Sequence, residues 1–339
     1  MNPLTSLYGA AAALRNTLFD HGVLAARRLA HPVVSVGNLS AGGAGKTPFV
    51  IALGELLKAR GIRFDVLSRG YGRKTRGVLV VKADGSAADF GDEPLLIARR
   101  LGVPVIVGES RYAAGRAAER KFQSQLHILD DGFQHRSLAR DFDIVLMTER
   151  DFGDRLLPSG RLREPLSSLA RADAVVLPAG LVVDHSSSRR DAACRVSLAA
   201  LQKKPVWLIN RELVLPKLPY APFSPIVFCG IARPEQFFAQ VRAAGITPAA
   251  EVEFRDHHAY DRRDIERLLA MRGKLGADGF LTTEKDAVNL APEQHRLEPL
   301  TVAKLCLTLD RPTDFVDAIL ARTIFARIRK LEAPLVRKS

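Results

Sequence analysis

The sequence predicts an α/β fold: a parallel-sheet domain, a second, smaller α/β domain, and an N-terminal amphipathic helix. Three features carry that expectation. From His31-Pro32 onward, short runs rich in Val, Ile and Leu alternate with helix-patterned stretches, the rhythm of parallel strands joined by crossover helices. A glycine-rich loop ending in Lys46-Thr47 separates the first run from the first of those helices. A proline-rich stretch between 205 and 225 interrupts the rhythm, which restarts at Ile226.

In chain order, residues 4–30 suit a helix. Leu4, Leu7, Tyr8, Ala11, Leu14 and Leu18 recur at three-four spacing on one face, with Thr5, Asn16 and Asp20 opposite. Arg15 falls in the apolar face, from which its charge would have to snorkel, and Arg27 and Arg28 follow near the end. Such a helix either packs on the protein or lies in a membrane interface, where each basic residue near an anionic surface adds about 1 kcal/mol. It lacks the basic start of a secretory signal, and no run of about 18 uncharged apolar residues predicts a membrane span. Strands are expected at 33–36, 64–68, 78–81, 103–107, 126–129, 144–147 and 174–177, and helices at 47–60, 93–100 and 111–121. Pro48 is tolerated in a first turn. The serine-rich segment 181–191 reads as a surface loop. Beyond the prolines, strands are expected at 226–229, 249–254, 280–283 and 302–307, with helices at 234–244 and 261–272. The expected division is a helix over 1–30, a first domain over 31–208 and a second over 209–330, facing each other across a cleft.

Composition narrows the function classes. Apolar residues make up 47% of the 339, ample for globular cores and against disorder. Fifty Lys and Arg against 37 Asp and Glu leave a formal charge of +13, which favours an anionic partner: nucleic acid, a phosphorylated substrate or a membrane surface. No zinc module or RNA-binding aromatic signature accompanies the charge, so nucleic acid is disfavoured. Cys194, Cys229 and Cys306 are far apart, odd in number and without metal-ligand spacing, as expected of a reducing cytoplasm.

The glycine-rich loop is Ser40-Ala41-Gly42-Gly43-Ala44-Gly45-Lys46-Thr47. Between a strand and a helix, this is the P-loop NTPase arrangement. Backbone N–H groups and the helix N-terminus cradle phosphates, Lys46 neutralises their charge, and the Thr47 hydroxyl ligates Mg²⁺. Ser40 stands where the usual pattern begins with Gly. A GTPase would add Asn-Lys-x-Asp, which Glu284-Lys285-Asp286 does not supply, and a ParA- or MinD-like ATPase would carry Lys at the position of Ala41.

Three acidic strings complete the chemistry. The apolar strand 126–129 ends in Asp130-Asp131, where a carboxylate would hold Mg²⁺ beside Thr47. Gly91-Asp92-Glu93-Pro94 opens a helix. Asp92 there is either an N-cap or the base that accepts a proton from an attacking sugar hydroxyl. Asp256-His257-His258 is either a surface loop or the source of a histidine that reaches across the cleft to tune Asp92.

Together these residues resemble the tetraacyldisaccharide 4'-kinase family, the lipid A 4'-kinases. The matching strings run in family order from residue 33 to 286. They are Val36-Gly37-Asn38-Leu39 continuing through the P-loop to Pro48, Leu67-Ser68-Arg69-Gly70-Tyr71-Gly72-Arg73, and Gly91-Asp92-Glu93-Pro94. Asp130-Asp131-Gly132-Phe133-Gln134-His135 is the most specific of them, and Leu162-Arg163-Glu164-Pro165, Asp256-His257-His258 and the surroundings of Thr282 to Asp286 follow. Within this family Ser40 is no departure.

The resemblance implies an ATP- and Mg²⁺-dependent enzyme of two α/β/α domains that close on ATP. It would transfer the γ-phosphate to the 4'-hydroxyl of a tetraacylated glucosamine disaccharide 1-phosphate, giving the 1,4'-bisphosphate, lipid IVA. It implies a peripheral enzyme on the cytoplasmic face of the inner membrane, with no nucleic acid and no obligate protein partner, and it favours the interface reading of residues 4–30. By position Asp92 matches the base and His257 its partner, with His258 the alternative. Lys46 and Thr47 match the phosphate and Mg²⁺ ligands, and Asp130 and Asp131 match the acids near the metal, joined by Glu93. Tyr71, Gln134, His135 and Arg163 would meet the γ-phosphate or the sugar. Two rival expectations stand beside this one: a P-loop kinase for a soluble sugar or nucleotide, and a membrane-associated ATPase switch with no sugar acceptor.

Overall fold

A computed structural model describes residues 3–181, 201, 204–216, 224–291 and 293–327. The segment 181–191 therefore falls almost wholly outside the described residues, as do Cys194, Pro219 and Pro222.

Among the described residues twelve strands form one sheet. They are β1 Val33–Asn38, β2 Phe64–Ser68, β3 Leu79–Val80, β4 Val105–Val107, β5 Leu126–Asp130, β6 Phe142–Leu146, β7 Ala174–Pro178, β8 Val206–Val214, β9 Ile226–Cys229, β10 Ala250–Glu253, β11 Phe280–Thr283 and β12 Leu300–Leu309. The order across the sheet is β10-β9-β11-β12-β8-β7-β6-β1-β5-β2-β4-β3. All neighbours are parallel except β3 against β4 and β8 against β12. β1, β2, β4, β5 and β6 are buried at every position, as parallel strands covered on both faces must be. β1 lies between β5 and β6, so the chain leaves β1 at a point where the strand order reverses, and a crevice opens there.

Helices α2 Lys46–Ala59, α4 Asp92–Leu101 and α5 Arg111–Lys121 cover the first unit, with a single turn, α3, at Ala87–Phe90. Beyond β8 the helices are Pro234–Ala243, Arg262–Leu275, Glu284–Leu290 and Pro312–Arg322, the last packed back on the core of the first unit through Phe315 and Phe49. The main apolar core runs from Phe49, Leu53 and Val66 to Trp207 and Phe315, while Phe228, Phe254, Ile265 and Phe280 form a separate cluster under β9 and β11.

Besides the single turn α3, three elements were not expected. β8 spans 206–214, and so contains the expected boundary at 208/209. Pro205 and Pro216 bracket this strand rather than interrupt it, so prolines that read as a linker mark its ends. The helices Glu284–Leu290 and Pro312–Arg322 are the other two. The second opens on a proline at N1 and buries Phe315, Val316, Ile319 and Leu320.

The N-terminal helix, α1, spans Pro3–Asp20 and stops ten residues short of the expected end at 30. Gly22 adopts φ 72°, Leu24 N–H turns back to the Leu18 carbonyl, and Arg27 N–H is taken by the Ser137 carbonyl. The helix docks by a mixed face on which Tyr8 joins the polar Thr5 and Asn16. Thr5 bonds the Ser159 hydroxyl, Tyr8 donates to the Arg163 carbonyl, and Asn16 donates to Glu164. Arg136 bonds both the Asn16 carbonyl and Asp20. Arg15 does not snorkel from an apolar face, because its guanidinium donates to the Gln134 carbonyl. Leu4, Leu7 and Leu14 remain 60%, 68% and 61% exposed. Among the described residues no helix is long and apolar enough to cross a membrane.

Candidate active site

The cleft of about 560 Å³ gathers segments that follow the C-terminal ends of strands in both units. The P-loop follows β1, Ser68 and Arg69 end and follow β2, and Asp130 and Asp131 end and follow β5. From the second unit, 231–233 follow β9, Asp256 and His257 follow β10, and Lys285 follows β11.

In the P-loop, Gly42, Gly43 and Gly45 take φ of 76°, 59° and 81°. These are left-handed values that turn successive N–H groups inward and that side chains resist. A Cβ on Gly43 would also lie 2.9 Å from Arg233 Nε, and one on Gly45 3.2 Å from Arg211 Nη2. α2 begins at Lys46, whose Nζ stands 3.1 Å from Asn38 Oδ1 and 3.3 Å from Asp131 Oδ1. Ser40 and Ala41 face away from the cleft. Ala41 N–H donates to the Arg161 carbonyl, Asn38 Nδ2 donates to the Ser40 carbonyl, and Arg163 N–H returns to the Leu39 carbonyl. That pairing carries the Arg163 guanidinium to 3.1 Å from Asp131.

The acids are crowded. Asp130 is buried and accepts from Ser68 Oγ on Oδ2, while its Oδ1 is buried without a partner. Burial first, then the charges of Glu93 and Asp131, push its pKa up to about 7 against the pull of Lys46. Burial likewise raises Glu93. Burial also presses on Asp131, but Lys46 and Arg163 outweigh it and hold that carboxyl below its ordinary range. An orphaned carboxylate oxygen and mutually repelling acids beside a phosphate cradle fit Mg-ATP. Thr47, Asp130, Asp131 and Glu93 are the groups that would hold the ion. Among the described residues no group of three or more His, Cys, Asp and Glu side chains could hold a metal alone. Mg²⁺ suits such a site, since it binds through one or two carboxylates and completes its shell with phosphates and water.

Asp92 and His257 meet across the cleft. Asp92 is 5% exposed and occupies the first position of α4, not the N-cap. The cap is Gly91, at φ 90°, where a Cβ would lie 2.9 Å from the Tyr71 carbonyl. Asp92 Oδ1 accepts from Glu93 N–H at 2.8 Å. Its Oδ2 lies 2.8 Å from His257 Nδ1, 3.3 Å from Asn289 Nδ2 and 3.9 Å from Lys285 Nζ. Burial alone would raise the Asp92 carboxyl. The His257 hydrogen bond, the Lys285 charge and the Asn289 contact together overcome it and hold the pKa below the usual value. The bond to Asp92 raises His257, against burial and the Lys285 charge. Lys285 Nζ also lies 2.9 Å from Asp256 and 3.3 Å from His257 Nε2.

His257 and Asp131 are the two non-glycine residues with positive φ among those described, at 57° and 50°. Strained backbone held at both sides of one cleft is the pattern of functional sites. His258 is turned elsewhere: its Nε2 is 2.7 Å from Asp264, and its ring stacks on Phe254.

The remaining candidates divide. Tyr71 is exposed and its ring centroid lies 5.3 Å from that of His257, at the cleft mouth with Arg163. Gln134 spends its amide on the Asn38 carbonyl. His135 lines a separate cavity with Arg27, Glu109 and Tyr112. Burial and the charges of Arg111, Arg140, Arg15 and Arg69 pull His135 down to about 4, so it is neutral at pH 7. Sequence reasoning assigned no role to Asn38, Asn289, Lys285, Arg211 or Arg233. Asn38 and Lys285 lay inside family strings, and nothing local marked the other three.

A family model described as tetraacyldisaccharide-1-P 4'-kinase matches residues 1–324. A tetraacyldisaccharide 4'-kinase of Koribacter versatilis is 47% identical over 329 residues, covering 94% of this chain and 98% of its own. One from Aquifex aeolicus is 39% identical over 301 residues, covering 85% and 88%. The crystal structure of an LpxK from Aquifex aeolicus in complex with ATP superposes with a TM-score of 0.75 at 34% identity, covering 95% of this chain and 98% of that one.

Proposed function

Because the chain belongs to the tetraacyldisaccharide 4'-kinase family, we infer that it transfers the γ-phosphate of ATP to the 4'-hydroxyl of a tetraacylated glucosamine disaccharide 1-phosphate in lipid A biosynthesis. It is an ATP-dependent phosphotransferase. The observation that carries the reading is the 2.8 Å bond between Asp92 and His257, made between the two units at the edge of the P-loop cleft. Neither rival, a soluble-substrate kinase or an acceptor-free ATPase switch, accounts for membership of this family.

Mg-ATP supplies the phosphoryl group and screens its charge. The protein's own residues orient and deprotonate. P-loop amides and Lys46 hold the phosphates, and Thr47 with Asp130, Asp131 and Glu93 would steady the ion. Asp92 takes the 4'-hydroxyl proton as the sugar oxygen attacks phosphorus and the bond to the leaving ADP breaks. His257, Asn289 and Lys285 keep Asp92 ionised for that task. Tyr71 and Arg163 are proposed to meet sugar or phosphate at the cleft mouth; Gln134, bonded to Asn38, and His135, in a separate cavity, do not line that cleft.

One observation favours a second proton route. His257 lines the cleft whereas Asp92 sits behind it, so His257 could take the proton while Asp92 orients the ring. His257→Ala separates the two. If Asp92 is the base, kcat falls about tenfold to a hundredfold with little change in KM. The acid limb of the kcat profile then moves to higher pH, because burial still raises Asp92 and its main opposing partner is gone. If His257 is the base, kcat falls as far as in Asp92→Ala and no displaced limb appears. The reaction itself is tested with labelled ATP and the acylated disaccharide 1-phosphate in detergent, reading the phosphate position by NMR. A chain that binds Mg-ATP and never labels the glycolipid would refute the assignment.

We further propose that the enzyme is peripheral to the cytoplasmic face of the inner membrane, with α1 as its contact. The support is the docking of that helix. Thr5, Tyr8 and Asn16 are spent on the protein, while Leu4, Leu7 and Leu14 stay exposed where they would meet lipid. Substituting the three leucines with Ser is expected to weaken sedimentation with anionic vesicles by tenfold or more, since each buried leucine contributes up to about 1.5–3 kcal/mol. ATP affinity should stay unchanged. Undiminished vesicle binding would remove the helix from this role. The proposed division remains 1–30, 31–208 and 209–330, with β8 and its antiparallel partner β12 as the join; the separate apolar cluster under β9 and β11 supports a second unit.

A further inference from the structure

Two cationic side chains from the second unit rest on the P-loop, and the reaction just described does not use them. Arg211 projects from β8 so that its Nη2 donates to the Ala44 carbonyl at 3.0 Å. Arg233 stands at the N-cap of the Pro234–Ala243 helix, over Gly43. The closeness of each guanidinium to Gly43 or Gly45 leaves no room for a side chain on those residues. Both line the cleft.

These arginines differ from the other cations around them. Lys46 and Arg163 share Asp131, and Lys285 faces Asp256 and Asp92. Among the described residues neither Arg211 nor Arg233 has a carboxylate within salt-bridge distance. Arg211 Nε and Arg233 Nη2 are buried without any hydrogen-bond partner. Burial and the Arg233 charge lower Arg211, and burial with the charges of Arg150 and Arg161 lowers Arg233 against the pull of Asp151 and Glu235, although a guanidinium stays charged at neutral pH. Two partly desolvated guanidiniums with unused donors, set against a left-handed glycine loop at a helix N-terminus, suit an anion. A mere prop for the loop would need one hydrogen bond to Ala44 and no second arginine.

We propose that Arg211 and Arg233 form a phosphate clamp, contributed by the second unit, that grips the polyphosphate of a nucleoside di- or triphosphate held in the P-loop. The inference rests on the nucleotide-kinase reading and extends it. The nucleotide becomes the bridge that holds the two units together, because its phosphates are bonded from β1 and α2 on one side and from β8 and the 230–233 turn on the other. Bound polyphosphate also supplies the negative charge that both arginines lack. The contacts are charge-assisted and suited to a guanidinium fork, so lysine is a poor substitute.

The test uses the full chain and calorimetric titration with Mg-ATP, Mg-ADP and AMP. Arg211→Gln and Arg233→Gln are each expected to lose tenfold or more in affinity for ATP and ADP while AMP binds as in the wild type. The Arg→Lys pair should recover only part of the loss. ATP affinities within twofold of wild type in both Gln variants would overturn the clamp. So would an equal loss for AMP and ATP, which would mark the arginines as props of the loop. A wild-type chain that binds neither ATP nor ADP would instead sink the underlying kinase reading, an outcome distinct from either.

Discussion

Asp92→Ala should leave a folded protein that binds Mg-ATP and turns over about 10²–10⁴-fold more slowly, the usual contribution of a positioned acid or base. The loss falls on kcat because, among the described residues, Asp92 makes no hydrogen bond or ion pair to the P-loop, so ATP affinity is expected within a few-fold of wild type. Stability should change little. The carboxylate accepts from Glu93 N–H, His257 and Asn289, and removing one acceptor costs about 1–3 kcal/mol when donors are left buried. Part of that is returned, because an aspartate under strong burial pressure is itself expensive to keep charged. The same variant frees His257 from the bond that raises it, so the imidazole should titrate at lower pH, a shift visible by NMR. A variant that keeps near-normal kcat would return Asp92 to a structural role at the start of α4.

Lys46→Ala should be nearly as severe, for a different reason. Lys46 is the cation at the N-terminus of α2, placed between Asn38 and Asp131. Its removal takes charge stabilisation from the transferring phosphoryl group, a loss of about 10²–10³ in kcat by analogy with other fixed transition-state donors. It also leaves Asp131 with Arg163 as its remaining close cation, so the carboxylates around the metal position repel each other more. Mg-ATP affinity should therefore weaken along with kcat, unlike the Asp92 case. Lys46→Arg is not expected to rescue, because the planar guanidinium cannot occupy the narrow space between Asn38, Asp131 and the loop. Single-turnover kinetics with direct ATP titration would separate the two effects. Unchanged affinity and turnover would remove Lys46 from the phosphate site.

Much of this molecule is determined by short-range pattern. Strand β1, the glycine loop and helix α2 are adjacent in sequence, so steric preference and apolar periodicity are enough to define them. The same holds for Asp130-Asp131 at the end of β5 and for the family strings that point to a lipid A kinase. What sequence could not decide is which residues meet across the fold. Asp92 and His257 are 165 residues apart, and only the pairing of β8 with β12 and the left-handed backbone at His257 bring that ring, not His258, to the carboxylate. Arg211 and Arg233 carry no local signature, because their meaning lies in lacking carboxylate partners, a property of the packed molecule. The N-terminal helix makes the point most plainly. Its leucine spacing is legible in sequence, but spacing cannot say which face a helix buries. Specific hydrogen bonds from Thr5, Tyr8 and Asn16 settle that, turning those three side chains inward and leaving Leu4, Leu7 and Leu14 outside.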